Sequence, residues 1–335
     1  MSLTSREIRL KSRPTGMPTQ DNFELATVQV PDPGPGEVQV KNLWMSVDPY
    51  MRGRMNDQRS YIGAFELGAA LQGGAIGEVV ASNDPSLKVG DVVQTFNGWR
   101  EAFNAPASTA QKIETHGLPL QTFLGAAGMP GLTAYAGLVR IAQMKEGDVV
   151  FVSGAAGAVG SVACQVAKLK GHTVVGTAGG PEKVKFLKDI GVDHAIDYRE
   201  HEGRLAEALL AAVPDGIDVY FDNVGGEHLE AALTAAKPYG RFALCGGISG
   251  YNATDGGPGI RGLMQAIGKS LRLEGYLVSP HFDLMPTYLQ ELSGWIAAGK
   301  FNTADTVDVG IENAPGAFLK LFTGGNTGKM LVKLG

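Results

Sequence analysis

Val152-Ser153-Gly154-Ala155-Ala156-Gly157-Ala158-Val159-Gly160 is the stretch that decides how this chain is read. Leading into it, Asp148-Val149-Val150-Phe151-Val152-Ser153 is a short apolar run, the pattern of a strand buried on both faces. Beyond it, Val159, Val162, Ala163, Val166 and Ala167 recur at helical spacing, and Gly171 closes the stripe. Glycines between a buried strand and a helix let the backbone turn sharply and approach a pyrophosphate. The helix N-terminus then offers free N–H groups and a partial positive charge. The spacing is GxxGxxG rather than GxGxxG, with Ala156 close to the place of a second glycine, so the strand-to-helix context carries the reading. A tight turn without a ligand is the alternative. Gly154, Ala155, Gly157, Ala158, Val159 and Gly160 are the expected dinucleotide contacts.

Downstream, strands alternate with helices. His172-Thr173-Val174-Val175-Gly176-Thr177 reads as a second strand, and a helix opens at Pro181 and ends near Gly191. Further strands are expected at Ala195–Asp197, Ile217–Phe221, Gly240–Leu244 and Leu271–Gly275. Repeated βα units predict an α/β fold with a doubly wound parallel sheet. Upstream, from Phe23 to about Leu120, short β-rich runs such as Glu37–Leu43, Ala75–Val80 and Asp91–Phe96 are separated by turns such as Pro33-Gly34-Pro35-Gly36. They predict a compact antiparallel β-domain. The strand-like Lys329–Leu334 is expected to return to it.

The choice of dinucleotide follows from charge. An NAD-preferring sheet carries Asp or Glu about 20 residues beyond the loop, at the end of the second strand, to hold the ribose 2′-hydroxyl. No carboxylate occurs from Gly154 to Pro181. Lys183 and Lys185 instead follow, read as lying in the first turn of the next helix, where the macrodipole disfavours cations. A 2′-phosphate reverses that penalty, so NADPH is the expected cofactor and Lys183 its phosphate partner. Lysines pointing into solvent are the bland alternative. Asp222, after the fourth strand, either caps Gly225-Gly226 or contacts the cofactor, and Asn223 beside it is a further cofactor candidate.

Composition narrows the class. The 335 residues suit two domains, and a net charge of −5 offers no basic footprint for nucleic acid. No apolar run reaches the roughly 18–20 residues of a membrane span. The first six residues lack the apolar core of a secretory signal, so a cytoplasmic protein is expected. Cys164 and Cys245 cannot form a disulfide framework, and neither they nor His116 make a zinc-ligand cluster in the β-domain. Both cysteines read as packing residues. His172, His194, His201, His228 and His281 fall among turns and polar segments and are expected at the surface.

Four segments resemble a known family. Asp48-Pro49-Tyr50-Met51-Arg52, the glycine loop, Ile196-Asp197-Tyr198 and Asn326-Thr327-Gly328-Lys329 are similar to the zinc-free alkenal/enone reductases of the medium-chain dehydrogenase/reductase superfamily. That group includes leukotriene B4 dehydrogenase/prostaglandin reductase, plant double-bond reductases and bacterial curcumin reductase-like proteins. The resemblance covers nearly the whole chain. Its zinc-dependent relatives carry a metal cysteine in the region of Asp48–Arg52. The resemblance implies a GroES-like β-domain over 1–124, a Rossmann NADP-binding domain over 125–300, a return over 301–335, and a cleft between the domains. It further implies that Lys183 and Tyr198 meet the NADP 2′-phosphate region and that Asn326 lies near the cofactor.

The implied activity is NADPH-dependent reduction of the C=C bond of α,β-unsaturated ketones or aldehydes. The implied partners are a small molecule with an activated double bond and a second copy of the chain. Tyr251, Tyr50 and Tyr61 are the candidate catalytic hydroxyls, since a tyrosine protonated at pH 7 can donate to an enolate oxygen. The nicotinamide ribose is an alternative proton donor. Packing is the structural role each tyrosine could have instead. Arg52 and Arg54 are left between carboxylate and phosphate partners. The loop Gly250–Gly259 is expected to shape the substrate pocket. Quinone reduction on the same scaffold, or NADP(H) binding without turnover, are the competing readings.

Overall fold

The structure is a computed structural model that describes residues 2–255 and 259–335; Gly256, Gly257 and Pro258 of the expected pocket loop lie outside the described residues. It divides into two units. The first comprises Met1–Leu124, Asp305–Asn326 and Met330–Gly335, and the second Gly125–Ala304 and Thr327–Lys329.

The first unit is β-rich. Strands β1 (Leu3–Leu10) and β2 (Phe23–Val30) form an antiparallel pair. The larger sheet begins with β3 (Glu37–Ser46), β4 (Ala75–Ser82), β5 (Val92–Thr95), β6 (Ala102–Pro106) and β7 (Gln111–Lys112), with helix α1 (Met51–Arg54) between β3 and β4. β3 is its hub, pairing antiparallel with β4 on one side and with β6 over its first half. Val38 and Val40 of β3 pack with Val79, Val93 and Phe103, all buried, as inward positions alternate along each strand.

The second unit carries β8 (Val149–Val152), β9 (Thr173–Ala178), β10 (His194–Asp197), β11 (Ile217–Asp222), β12 (Ala236–Leu244) and β13 (Arg272–Gly275). All pair in parallel, in the order β10-β9-β8-β11-β12-β13. With β8 first in sequence this is the Rossmann order 3-2-1-4-5-6, in which the chain reverses direction of travel between β8 and β11. The reason is in the strands: Val150, Phe151, Val152, Val174, Val175, Val219, Tyr220 and Phe221 are all buried, so helices must cover both faces. Phe151 stacks on Tyr220 at 5.0 Å, and Tyr220 meets Phe242 edge-on at 5.2 Å.

The helices of this unit are α2 (Met129–Ala136), α3 (Ala158–Leu169), α4 (Pro181–Asp189), α5 (Leu205–Ala212), α6 (Gly226–Ala235), α7 (Met264–Gly268) and α8 (Met285–Ala297). α3 is buried further round than its apolar stripe predicts, since Ser161, Cys164 and Gln165 are covered too. The physical reason is a second layer. α2 packs along α3, and Gln165 exchanges hydrogen bonds with the backbone of Asn302 at 2.9 and 2.7 Å.

The last segment rejoins the first unit through β14 (Asp305–Val309), α9 (Ala314–Thr323) and β15 (Lys329–Lys333), and Leu331–Lys333 pair antiparallel with β3. Phe318 of α9 packs edge-on against Trp99 and Phe23, at 6.1 and 6.2 Å, in the main core of this unit. A GroES-like β-unit and a Rossmann unit are thus the two parts of the chain. Among the described residues no helix is long and apolar enough to cross a membrane.

Candidate functional site

The glycine loop joins β8 to α3. Gly154 has φ +58°, and a methyl group on Gly160 would lie 2.9 Å from the Ala155 Cα and closer still to the Gly154 carbonyl. The loop is fastened to its neighbours by the Ser153 N–H on the Phe221 carbonyl and the Ala155 N–H on the Thr177 carbonyl. Gly157 is the N-cap of α3 and brings no side-chain cap, so the N–H groups of Ala158, Val159 and Gly160 form the open first turn. The C-terminal return touches the loop as well. Gly157 bridges Gly328, and the Gly328 N–H donates to the Ala156 carbonyl at 2.7 Å. Asn326 lies two residues before that contact, half-buried.

A buried carboxylate sets the end of β11. Asp222 Oδ1 accepts from Ser153 Oγ, Tyr220 Oη, the Val224 N–H and the Gly225 N–H, at 2.6 to 2.9 Å. Of the two roles left open for Asp222, the structure shows the cap. Ser153 Oγ in turn accepts from the Asn223 N–H, while Asn223 Nδ2 donates to the Ser153 carbonyl at 2.7 Å. Asn223 therefore stands beside Gly154, where a methyl group would meet its Cβ at 3.4 Å. Tyr251 reaches the same strand ends from the turn after β12. Its hydroxyl lies near the Gly247 N–H at 3.5 Å, and Gly246 sits between it and the Asn223 carbonyl.

One edge of the sheet gathers cations. Asp197 at the end of β10 accepts from the Gly180 N–H at 2.9 Å and the Arg199 N–H at 3.1 Å, tying the turn after β9 to the turn after β10. A methyl group on Gly179 would meet Arg199 Nε at 2.8 Å and Tyr198 Oη at 2.9 Å. Lys183 is the third residue of α4; its amine is held below the ordinary lysine range, first by burial and then by the Arg199 charge. Among the described residues neither Lys183 nor Arg199 has an ion-pair partner. Two neighbouring cations can take a phosphate dianion, and the open α3 terminus a pyrophosphate.

Three expectations need correction here. Lys185 is not in the first turn of α4; it is the fifth residue of the helix and pairs with Asp189 at 2.6 Å. His172 and His228 are not surface residues, each being 6% exposed. His228 is the third residue of α6 and packs edge-on against the Tyr198 ring at 5.1 Å; burial pushes its pKa down to about 4. Cys164 is buried, and Cys245, directly after β12, is half-buried with its thiol turned inside. Its thiol is pushed up to about 12 by burial, with the Tyr276 hydroxyl as its hydrogen-bond neighbour. Arg199 is the residue missed at this edge. Its signal was its place directly after Ile196-Asp197-Tyr198.

The other two tyrosines belong to the first unit. Tyr50 leads into α1 and is half-buried, its hydroxyl pKa raised by burial and by Asp48 and opposed by Arg54. Tyr61 is 64% exposed. Arg52 donates to Asn56 Oδ1 at 2.6 Å and to the Gly16 carbonyl at 2.8 Å. Arg54 donates to the Gly63 carbonyl and to Gln72 Oε1. Among the described residues no group of three or more His, Cys, Asp or Glu side chains is placed to hold a metal ion.

Comparison with known proteins bears on the whole chain. Residues 6–113 match a family model described as the N-terminal domain of oxidoreductase, and residues 158–294 one described as zinc-binding dehydrogenase. The Bacillus subtilis (strain 168) protein YfmJ, named as an NADP-dependent oxidoreductase, is 45% identical over 100% of this chain and 99% of its own. A 2-alkenal reductase (NADP(+)-dependent) of Nicotiana tabacum is 42% identical, covering 98% of this chain and 97% of its own. The crystal structure of CurA from Vibrio vulnificus in complex with NADPH superposes with a TM-score of 0.92. It has 38% identity and covers 98% of this chain and 99% of that one.

Proposed function

The chain belongs to the medium-chain dehydrogenase/reductase family, and from that membership we propose that it reduces the C=C bond of α,β-unsaturated ketones and aldehydes. It is an NADP-dependent oxidoreductase. The observation that carries the cofactor reading is the pair Lys183 and Arg199, two neighbouring cations without a carboxylate partner among the described residues, on the turn where an NAD-preferring sheet would place an acid. Tyr198 and the Gly179-Gly180 turn complete that corner, and the α3 terminus with Gly154, Gly157 and Gly160 takes the pyrophosphate. The double bond is the reading supported by the alkenal reductase of Nicotiana tabacum, to which this chain is similar from end to end.

When bound, NADPH supplies a hydride for the β-carbon of the substrate, which leaves an enolate at the carbonyl. Tyr50, Tyr61 and Tyr251 are the hydroxyls proposed to donate to the enolate oxygen, where the charge develops. Burial favours the neutral form of Tyr50 and so keeps its proton available as a donor. A proton from tyrosine or water then completes the α-carbon, so that one substrate, one NADPH and one proton give the saturated carbonyl compound and NADP. Consumption of NADPH with trans-2-hexenal, with 3-nonen-2-one and with 1,4-benzoquinone tests the reading. Turnover of the first two supports it; turnover of the quinone alone replaces it with quinone reduction, and tight NADPH binding with no turnover removes the enzyme.

The proposed assembly is a homodimer through the β13 edge. Among the described residues β13 pairs with β12 only, and Leu263, Met264 and Ile267 of the preceding segment are exposed at 54%, 75% and 71%. Light scattering should return twice the 35.2 kDa of the chain, and Ile267→Asp should shift it toward the single chain.

A further inference from the structure

Arg54 ends α1 four residues after Tyr50, and Tyr50 itself has helical backbone angles, so the two side chains share one face of the turn. The Arg54 side chain is buried, at 6% exposure. Its Nε donates to the Gly63 carbonyl at 2.8 Å and a terminal nitrogen to Gln72 Oε1 at 3.0 Å. The Phe65 ring lies 4.0 Å from its guanidinium carbon. The Phe65 N–H also donates to the Arg54 carbonyl at 2.7 Å. Gly63 and Phe65 follow Tyr61 by two and four residues, so this one arginine fastens the segment bearing Tyr61 to the turn bearing Tyr50. Its hydrogen bonds go to neutral oxygens, and among the described residues it has no ion-pair partner. The ionisable groups that bear on its charge are the hydroxyls of Tyr50 and Tyr61.

A buried guanidinium without a carboxylate is costly for the fold and is retained where its charge is used. We propose that Arg54 is a positioning residue for the reduction. It holds the two tyrosines together, and its uncompensated charge favours the negative charge that reaches the Tyr50 hydroxyl as the enolate forms. The proposal rests on Tyr50 as a donor to that oxygen. It differs from a packing role because it requires the charge and acts through a second residue.

The test uses the full chain with NADPH and trans-2-hexenal, reading kcat by absorbance and NADPH affinity by fluorescence. Arg54→Gln should lower kcat by about tenfold or more while NADPH affinity stays within about twofold. Arg54→Lys, which keeps the charge but not the fork of hydrogen bonds, should lose clearly less than Arg54→Gln, about threefold. Adding Arg54→Gln to Tyr50→Phe should cost less than about threefold beyond Tyr50→Phe alone, as residues acting through one another are not additive. Equal losses for Gln and Lys, or losses that multiply in the double variant, overturn the proposal. Should Arg54→Gln not fold, a tenfold loss in a folded Arg54→Lys overturns it equally. A Tyr50→Phe enzyme with unchanged kcat defeats the donor reading itself, which is a separate outcome.

Discussion

The Arg199 guanidinium rests against Gly179, so closely that a methyl group there would meet Nε at 2.8 Å. Twenty residues separate them, and they meet because β10 lies in parallel beside β9, with Asp197 opposite Ala178. The strand order therefore builds the corner proposed to take the 2′-phosphate. Lys183 enters it from α4, and Tyr198 lines it with His228 behind its ring.

Lys183→Ala and Arg199→Ala should each weaken NADPH by about tenfold or more, the scale of a charge-assisted hydrogen bond, and leave NADH nearly unchanged. Titration of both nucleotides against each variant by fluorescence checks this. Equal weakening of NADPH and NADH would remove the residue from the phosphate corner.

The Lys183 amine has a pH signature. Burial and Arg199 hold its pKa below the ordinary lysine value, and the protonated form is the one that attracts phosphate. NADPH affinity should thus begin to fall, as pH rises, earlier than an ordinary lysine would allow. NADH affinity should not follow it. Lys183→Arg should move the fall to higher pH, and isothermal titration across an alkaline series measures both.

His228 makes stability depend on mild acid. Its folded pKa of about 4 lies below the 6.5 of a free histidine, so the folded state resists the proton that the unfolded state accepts. The contribution is fully present above pH 6.5 and is lost as pH falls toward 4. Between pH 7.5 and pH 5 the loss should be about 2 kcal/mol. Urea unfolding at the two pH values measures it, and His228→Phe should remove that part of the difference. An unchanged pH dependence in the variant would place the histidine's ring in solvent.

Tyr251→Phe should lower turnover by about tenfold or more with NADPH affinity nearly unchanged, since its hydroxyl lies at the strand ends beside Asn223 rather than in the phosphate corner. Steady-state kinetics paired with binding decides between this and a packing role, in which kcat would be unaltered.

The fold was legible because its central strands are buried on both faces and say so in composition. Val149–Val152 is an apolar run and Ile217–Asp222 a largely apolar one, and glycines mark where each must turn. What could not be read was anything depending on strand order or on a second layer. Arg199 and Gly179 carry no mutual signal along the chain. His228 stands between Glu227 and Leu229 in a segment that reads as polar, and the ring it packs against belongs to Tyr198, thirty residues earlier. Lys185 looked like the equal of Lys183, yet two residues along a helix turn the side chain by about 200° to meet Asp189. The role of Arg54 is not legible in the sequence because its partners are backbone carbonyls and a glutamine, which no charge pattern announces.

The most direct test of the central claim follows the hydride. The full-length protein is given trans-2-hexenal and NADPH deuterated at the transferable C4 position, with each stereoisomer in turn, and the product is read by mass spectrometry and NMR. The expected result is hexanal with one deuterium on its β-carbon from one of the two stereoisomers. Deuterium on the carbonyl carbon, giving 2-hexen-1-ol, or no product from either isomer, would contradict the account.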